Sequence, residues 1–408
     1  MRHAFALVAC LTVCLPALAE VSLQAPGFSA TVRGGALCEL QSAGMALIAP
    51  GDRQSLTGIQ RVEARHWVIA DANDGTVHEG APFAEVLRDL SDLPGAELGM
   101  AYALDGDELT IAQAARSPLP GVQSVQWGLG EVPFAYDVIV PGNGGIRIRQ
   151  QSPGSRWEFS YPIGWEAQLV ILQGAGHGFY VWAEDPVGRH KKLTVLRGKA
   201  GWRLAFATEN NAPFAPCTEA DSVRWRVGVH QGDWRVPAKR YGEWARQVWG
   251  LTRLKDQSPS WVRDIRFVVI TGQDRQLLQD LAARVDPRQT LLYIPGWRRY
   301  GYDRMYPDYT ANEDFPGFVA DAHALGFRVM PHVNYFGCDP NSPEYAQFEP
   351  YQVRNPQTHE KEWWLWERAD PVIKFAYINP AHRPWRDLFV ARMRELVERY
   401  QVDALHLD

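Results

Sequence analysis

The sequence predicts a multi-domain protein of the β plus α/β class, in which an antiparallel β-sandwich precedes the first half of a (β/α)8 barrel. Three observations lead to this fold class. Segments of period two extend to residue 231, a Gly-Asp-Trp motif then opens a helical stretch, and strands alternate with helices after residue 261. We therefore expect a sandwich at 20–231, a connector helix and linker at 232–260, and a partial barrel containing strands 1–4 at 261–408.

The first nineteen residues have the pattern of a secretory signal peptide. Arg2 and His3 precede an apolar run at 4–15, and Ala17 and Ala19 are spaced as a cleavage site requires. We expect cleavage after Ala19 and export to the periplasm or the extracellular space. No later stretch approaches the roughly 20 apolar residues of a transmembrane helix, so no membrane span is predicted.

Composition excludes several classes of function. The 408 residues carry a formal net charge of -5 without a basic run, so we do not expect a nucleic-acid partner. Cys38, Cys217 and Cys338 follow the signal segment; they are odd in number and far apart, which excludes a disulfide framework and a CxxC metal motif. We predict neither a metal nor another cofactor. The count of 16 Trp suits sugar stacking as well as core packing.

The sandwich is predicted from alternating apolar residues. Val223, Trp225, Val227 and Val229 share one face of a strand, as expected when only that face is buried. Clusters of Gly, Pro, Asn and Asp separate this run from similar ones and supply the turns. Many short strands of this kind favour a large sandwich over a parallel sheet. The predicted strands are 28–33, 61–69, 108–114, 167–172, 179–182, 193–196, 202–208 and 222–230.

The connector begins at Gly232. A helix is predicted at 237–248, with Tyr241, Trp244 and Val248 on one face, and we expect it to pack between the domains. The polar segment at 251–259 leads into Ser-Pro-Ser at 258–260 and marks the domain boundary.

The partial barrel is predicted from four apolar strands that alternate with helices. Such alternation requires parallel strands covered by helices. No phosphate-binding glycine motif follows the first strand, which favours a barrel over a doubly wound sheet. A barrel needs about eight strands, so we expect the sequence to be a fragment. The predicted strands are 265–270, 291–294, 327–333 and 402–408, and the helices are 276–285, 314–325, closed by Gly326, and 383–400.

Asp408 is the strongest candidate for chemistry. It ends the fourth predicted strand, at the edge where barrel enzymes build their sites. A glycosidase needs a rigid carboxylate near the anomeric carbon of its substrate, and a strand end supplies one. The alternative is an aspartate that caps a helix or binds a loop amide. Asp403 lies at the opposite end of the same strand and is predicted to be structural.

Other candidates follow the second and third predicted strands. Aromatic side chains after the second strand suit a stacking wall, although loop packing is equally consistent, and carboxylates there suit sugar hydroxyls. The histidine and asparagine that end the third strand suit hydrogen bonds to hydroxyls or to Asp408, although a core histidine with satisfied hydrogen bonds is as consistent. Three Trp at 363–366 suit a lid or subsite. The candidate substrate-binding residues are Trp297, Tyr302, Asp303, Tyr306, His332, Asn334, Asn379 and His406.

Three segments resemble barrel glycoside hydrolases related to retaining α-glycosidases, including enzymes similar to endo-α-N-acetylgalactosaminidase and α-galactosidase. They are residues 377–380 (Tyr-Ile-Asn-Pro), the helix opening at Trp385-Arg386, and residues 402–408 (Val-Asp-Ala-Leu-His-Leu-Asp). Residues 178–185 and the connector at 232–244 resemble the mutarotase-like sandwich of these enzymes.

This resemblance implies hydrolysis of an α-linked sugar in an oligosaccharide or glycoconjugate by a retaining mechanism, with Asp408 as nucleophile. It also implies that the acid/base carboxylate comes from a later strand, so we expect the chain that ends at residue 408 to be inactive alone.

Two rival functions stay open. A metal-dependent barrel hydrolase would use His332, His406 and Asp408, although the first predicted strand lacks the His-x-His pair typical of such enzymes. A non-catalytic carbohydrate-binding protein is the second rival.

Overall fold

The computed structural model describes residues 21–33, 36–49, 56–62, 68–69, 75–78, 83–90 and 93–408. The predicted signal peptide and part of the predicted strand at 61–69 lie outside the described residues. The chain forms two compact units that divide between Leu251 and Thr252. In the part that the structure describes, no helix is long and apolar enough to cross a membrane.

The first unit consists mainly of antiparallel strands. Its strands are β1 Val21–Ala25, β2 Phe28–Arg33, β3 Ala36–Ser42, β4 Met45–Ile48, β5 Gly58–Arg61, β6 Val68–Ile69, β7 Gly75–His78, β8 Phe83–Leu90, β9 Leu93–Asp105, β10 Glu108–Arg116, β11 Val122–Gly128, β12 Val132–Pro133, β13 Asp137–Val140, β14 Ile146–Ile148, β15 Arg156–Tyr161, β16 Leu169–Gln173, β17 His177–Glu184, β18 Lys191–Arg197, β19 Gly201–Glu209, β20 Glu219–Asp221 and β21 Arg224–Gln231.

These strands form three sheets. The first is four-stranded, in the order β1-β2-β3-β4. A ten-stranded sheet has the order β14-β13-β16-β17-β21-β10-β9-β8-β7, with β20 beside β10, and a seven-stranded sheet has the order β15-β18-β19-β11-β5-β6, with β12 beside β19. Trp127 of the seven-stranded sheet and Trp225 of the ten-stranded sheet are fully buried, with ring centroids 6.1 Å apart. The two larger sheets therefore share one core, as in a β-sandwich.

A helix, α1 Arg235–Val248, packs on the ten-stranded sheet. Its Tyr241 and Ala245 are buried with Leu169 and Trp182 of that sheet. The predicted connector helix therefore belongs to the first unit, because the strands beneath it cover its apolar face.

A buried carboxylate ties this helix to the sheet. Glu108, only 1% exposed, accepts hydrogen bonds from Tyr180 and Trp182. It also forms salt bridges of 3.2 Å with Arg226 and 3.3 Å with Arg240, the latter on α1. A buried charge is stable only when it is paired and hydrogen-bonded in this way.

The second unit alternates strands and helices and contains an antiparallel insertion. Its strands are β22 Phe267–Ile270, β23 Thr290–Ile294, β24 Arg328–Val333, β25 Gly337–Cys338, β26 Trp363–Trp366, β27 Ile373–Tyr377 and β28 His406–Leu407. Its helices are α2 Leu254–Gln257, α3 Arg275–Ala282, α4 Phe315–Leu325, α5 Tyr345–Phe348 and α6 Arg383–Tyr400, with short 3-10 turns at Ser260–Arg263, Pro287–Gln289 and Glu349–Tyr351.

Four strands form a parallel sheet in the order β22-β23-β24-β28. Helices α3, α4 and α6 cover one face, where Leu278, Phe318 and Leu396 share a core with Leu292 and Val329. Because side chains alternate along a strand, the neighbouring residues point to the other face. On the outermost strand β22, Phe267, Val268 and Ile270 are 57%, 55% and 69% exposed.

The insertion between β24 and α6 forms a three-stranded antiparallel sheet in the order β25-β27-β26. Trp364 stacks on Phe375 across this sheet, with ring centroids 4.9 Å apart. Trp366 is 44% exposed. The predicted aromatic surface of the insertion is therefore partly buried within its own sheet and partly in contact with solvent.

The structure confirms a β-rich, multi-domain fold. Helix α6 has the predicted bounds, and Gly326 closes α4 with a left-handed φ of 97°. The fourth predicted strand, 402–408, is corrected to His406–Leu407. The shortening has a local cause: the amides of Asp403 and Ala404 both donate to the Val329 carbonyl, so no regular ladder forms there.

Candidate active site

Polar side chains lie at one edge of the parallel sheet. Tyr293 lies in β23, and His332 of β24 is paired with His406 of β28. The carboxyl ends of parallel strands meet at a single edge, so these side chains lie close to the loops that follow the strands. We call this set the His332 cluster: Tyr293, Tyr302, Asp303, His332, His406 and Asp408.

His332 is the centre of the cluster and is only 1% exposed. Its Nδ1 lies 2.8 Å from the Tyr293 hydroxyl, within hydrogen-bond distance. Its Nε2 lies 3.6 Å from Asp303 Oδ1 and 3.8 Å from Asp408 Oδ2, beyond hydrogen-bond distance, and has no partner among the described residues. Two carboxylates therefore face the same imidazole nitrogen.

Asp408 combines a fixed backbone with an accessible side chain. Its amide donates to the Val333 carbonyl at 2.9 Å, which extends the pairing of β24 and β28. Its side chain is 55% exposed. The carboxylate is thus held at the sheet edge and is open to a ligand.

Asp303 is the buried one of the two carboxylates that face His332 Nε2. It is 3% exposed and accepts a hydrogen bond of 2.9 Å from the Tyr306 hydroxyl. Its backbone has a φ of +55°, in the left-handed region, as does that of Met305. This conformation costs a non-glycine residue about 1–2 kcal/mol, and such strain is concentrated at functional sites. The backbone thus holds the Asp303 carboxylate in a fixed direction.

The tyrosines of the cluster remain protonated. Burial raises the pKa of Tyr302 to about 12, and the charge of Asp303 adds to the shift. Burial also raises the pKa of Tyr293, followed by the charges of Asp408 and Asp303. Both phenols therefore keep their protons at neutral pH and can donate hydrogen bonds. Tyr302 is 38% exposed, so a ligand can reach its ring.

Two predicted stacking residues are corrected. Trp297 and Tyr306 have no exposed surface and belong to the core of the second unit. The Trp297 indole donates to the His332 carbonyl at 2.7 Å, and Tyr306 donates to Asp303. Neither ring can stack on a sugar, because each is enclosed by its neighbours. They support the site residues instead.

The two predicted asparagines have local roles. Asn334 is 1% exposed, and its Oδ1 accepts from the amides of Phe336 and Gly337 at 3.2 and 2.6 Å. Asn379 Oδ1 accepts from the Ala381 amide at 2.9 Å, in the turn before α6. Asn334 is enclosed and serves a turn, which corrects the expectation that it binds substrate, whereas Asn379 is exposed and stays a prediction.

Asp403 is structural, in contrast to Asp408. Its carboxylate, with 9% of the side chain exposed, accepts from His323 Nε2 at 2.8 Å and from the Val329 amide at 2.8 Å, and it pairs with Arg328 at 2.7 Å. All of these partners lie at the end of the sheet opposite to Asp408.

The sequence analysis missed Tyr293 and Tyr377. Tyr293 lies inside an apolar strand, where period two could have identified it, because its neighbours Leu292 and Ile294 face the helices. The pKa of Tyr377 is raised by burial and then by the charges of Glu362 and Asp408. Tyr377 pairs with Gly337 of β25, shortly after β24, and only that long-range pairing could have revealed its position near the cluster.

Metal binding has limited geometric support. Across the ranges that the structure describes, no group of three or more His, Cys, Asp or Glu is arranged to hold a metal ion. His332 and His406 stack, with ring centroids 5.5 Å apart.

Residues 221–408 match the model of a family described as a domain of unknown function, DUF6259. No curated protein matches the sequence at a significant level.

The fold is similar to that of a glycosidase of known structure. The α-N-acetylgalactosaminidase NagBb from Bifidobacterium bifidum, in complex with GalNAc, has a TM-score of 0.70 at 13% identity, over 95% of this chain and 70% of that chain. The complex of the same enzyme with Gal-NHAc-DNJ has a TM-score of 0.71 at 14% identity, over 95% and 69% of the two chains. An α-galactosidase from Lactobacillus brevis has a TM-score of 0.46 at 11% identity, over 95% and 63%. At these identities the likeness to NagBb shows the fold alone.

Proposed function

We propose that this chain is part of an exported glycoside hydrolase that acts on an α-linked sugar by a retaining mechanism, with Asp408 as its nucleophile. The observation that supports this proposal is the half-exposed carboxylate of Asp408 at the carboxyl edge of four parallel strands, beside His332 and Asp303. Barrel enzymes place their reactive groups at that edge. The likeness to an α-N-acetylgalactosaminidase supports the same class of reaction.

The chemistry requires a fixed carboxylate below the sugar. An oxygen of Asp408 attacks the anomeric carbon while the bond to the departing oxygen breaks, which gives a glycosyl ester. The departing oxygen takes a proton from a second carboxylic acid. Water then hydrolyses the ester, and that second group, now a base, accepts the proton. Asp408 supplies the first of these two groups, and we assign the second to a strand beyond residue 408.

The four parallel strands fit the first half of a (β/α)8 barrel. Helices cover one face of the sheet, and the other carries the His332 cluster together with the exposed Val268 and Ile270. In a closed barrel this second face would be the interior. Later strands would then bury Val268 and Ile270.

Tyr302, Asp303 and His406 are the remaining candidates for substrate contact. Tyr302 offers an exposed ring and a protonated hydroxyl. Asp303 suits a sugar hydroxyl, because a carboxylate accepts hydrogen bonds from such donors. The His406 ring lies against Tyr293, with centroids 4.6 Å apart, and its Nδ1 has no partner among the described residues.

The test is covalent trapping with 5-fluoro-α-glycosyl fluorides. Fluoride leaves without a proton from an acid, so the reagent bypasses the missing carboxylate. We expect the N-acetylgalactosamine or galactose reagent to label the peptide that contains Asp408, as detected by mass spectrometry. Asp408→Asn should abolish labelling, whereas Asp387→Asn, at an exposed aspartate of α6, should leave it unchanged. Labelling of another residue, or none by either sugar, would reject Asp408 as nucleophile.

The same chain should not turn over an ordinary aryl α-glycoside, because that reaction needs the second carboxylate. Measurable turnover would contradict the assignment of the acid/base group to a later strand.

The rival function, a metal-dependent hydrolase, would use His332, His406 and Asp408, although no three such ligands among the described residues are arranged to hold a metal ion. Metal analysis of the purified protein distinguishes this rival from the proposed glycoside hydrolase. A stoichiometric divalent ion that is lost on His406→Ala would favour this alternative.

A further inference from the structure

One nitrogen of His332 faces negative charge, and the other contacts a phenol. Nε2 lies 3.6 Å from Asp303 Oδ1 and 3.8 Å from Asp408 Oδ2, whereas Nδ1 lies 2.8 Å from the Tyr293 hydroxyl. The residue is 1% exposed, so water does not compete freely for either nitrogen. These partners determine where the imidazole proton is located.

Electrostatics favours a proton on Nε2. Carboxylates only accept hydrogen bonds, so an Nε2–H group is attracted to both Asp303 and Asp408. The opposite tautomer would direct an imidazole lone pair at two negative charges in a buried setting, where repulsion is strong. A neutral imidazole carries one N–H, so Nδ1 must then accept a hydrogen bond.

Tyr293 is suited to donate that hydrogen bond. Burial and the nearby charges of Asp408 and Asp303 raise its pKa, so its hydroxyl keeps its proton. A protonated phenol donates to the Nδ1 lone pair, which is the arrangement that the carboxylates require at the other nitrogen. The carboxylates near Nε2 and the phenol at Nδ1 therefore favour the same tautomer, with the proton on Nε2.

The orientation of the ring is fixed by the elements around it. The Trp297 indole donates to the His332 carbonyl at 2.7 Å. Tyr302 and His406 contact the imidazole, with ring centroids at 4.8 and 5.5 Å. Little freedom remains for the imidazole to turn away from the two carboxylates.

We propose that His332 is a positioning residue: Tyr293 fixes its tautomer, and its Nε2–H group, which faces both Asp303 and Asp408, orients the Asp408 carboxylate toward the sugar by electrostatic attraction. The tautomer is a property of the free protein, whereas the effect on the sugar rests on the proposed function. Two carboxylates thus lie within 4 Å of Nε2, one buried and one accessible.

The first experiment measures the tautomer without any sugar. The full 408-residue chain is labelled with 15N-histidine, and the His332 nitrogens, assigned with His332→Gln, are observed by long-range 1H–15N NMR at neutral pH. We expect a protonated Nε2 and an unprotonated Nδ1. Protonation of Nδ1, alone or together with Nε2, would overturn the proposal.

Tyr293→Phe tests the origin of the tautomer. Removal of the hydroxyl should raise the population of the Nδ1–H form, whereas Tyr300→Phe, at an exposed ring outside the His332 cluster, should not. An unchanged tautomer in Tyr293→Phe would show that the tyrosine does not fix it.

The second experiment uses the rate of Asp408 labelling by the glycosyl fluoride. His332→Ala should lower the maximal rate roughly tenfold to hundredfold, because misdirection of a reacting group has effects of that size. His332→Gln retains an N–H donor and should recover part of the rate. Equal loss in both variants would assign His332 a structural role only. If wild type is not labelled, the proposed function fails while the tautomer result stands.

Discussion

Asp403 and Arg328 form a salt bridge of 2.7 Å at the end of the sheet opposite to Asp408. The pair, together with His323 and the Val329 amide, fixes the chain where it enters the last strand. Five residues later Asp408 has none of these contacts and faces solvent. The same residue type thus has a stabilising role at one end and an accessible carboxylate at the other.

This contrast predicts that the two aspartates contribute unequally to stability. Asp403→Asn removes a paired, nearly buried charge and should lower the free energy of unfolding of the second unit by about 3 kcal/mol. Asp408→Asn should change it by less than about 0.5 kcal/mol, because the side chain is 55% exposed and takes no hydrogen bond in the described residues. Urea unfolding followed by tryptophan fluorescence measures both. Comparable losses would contradict the assigned roles.

Trp297 should stabilise the second unit. Trp297→Phe leaves a cavity and removes the hydrogen bond to the His332 carbonyl. We expect a loss of about 2–3 kcal/mol in the free energy of unfolding. Trp366→Phe is the matched control, since Trp366 is 44% exposed and its replacement should be nearly neutral. A neutral Trp297→Phe would show that the ring is not a core residue.

Stability should fall at alkaline pH because buried tyrosines resist ionisation. Below pH 10 these phenols are protonated in both the folded and the unfolded state, so their contribution to stability is fully present. Above pH 10 the unfolded chain loses phenolic protons that the folded chain keeps, and stability decreases as pH rises toward the folded pKa, which for Tyr302 is about 12. The tyrosines with raised pKa are Tyr136, Tyr161, Tyr180, Tyr241, Tyr293, Tyr302, Tyr306, Tyr309 and Tyr377.

Absorbance at 295 nm and circular dichroism, recorded together against pH, test this prediction. We expect a late phase of phenol ionisation that coincides with unfolding. Ionisation of all tyrosines near pH 10 in a protein that keeps its native circular dichroism would refute it.

Gly326 should tolerate no side chain. It ends α4 with a φ of +97°, and an added Cβ would lie 3.3 Å from Arg288 Cγ. Gly326→Ala should lower the free energy of unfolding by about 1–2 kcal/mol, the usual difference for the left-handed conformation. The control is Gly296→Ala, where the backbone is not left-handed and no atom lies within 4 Å. Equal effects on the thermal midpoint would argue against strain at Gly326.

Local patterns in the sequence predicted those parts of the fold that depend on neighbours in the chain. The apolar stripe of α6, the glycine after α4 and the alternation of β2 each gave the observed bounds or nearly so. The sheet formed by β25, β26 and β27 was not predicted, because it joins residues up to 40 positions apart. Pairing at such separation leaves little local signal.

Only part of the candidate site was predicted, because local sequence patterns show strand positions but not the directions of loop side chains. Strand position identified His332, His406 and Asp408. The direction of loop side chains could not be derived, so Trp297 and Tyr306 were predicted to face substrate although both are enclosed in the core. A loop aromatic has no periodicity to show whether it points inward or outward. Tyr293 was missed because its apolar neighbours made the whole strand read as core.

The exposed side chains and outer edge of β22 have a practical consequence for handling the chain. Phe267, Val268 and Ile270 of β22 have exposed apolar side chains. Within the described ranges β22 pairs only with β23, so its other edge presents a row of main-chain donors and acceptors. An edge of that kind recruits strands from other molecules. Light scattering should therefore show particle size growing with protein concentration, and Val268→Lys should suppress that growth by making such stacking electrostatically unfavourable.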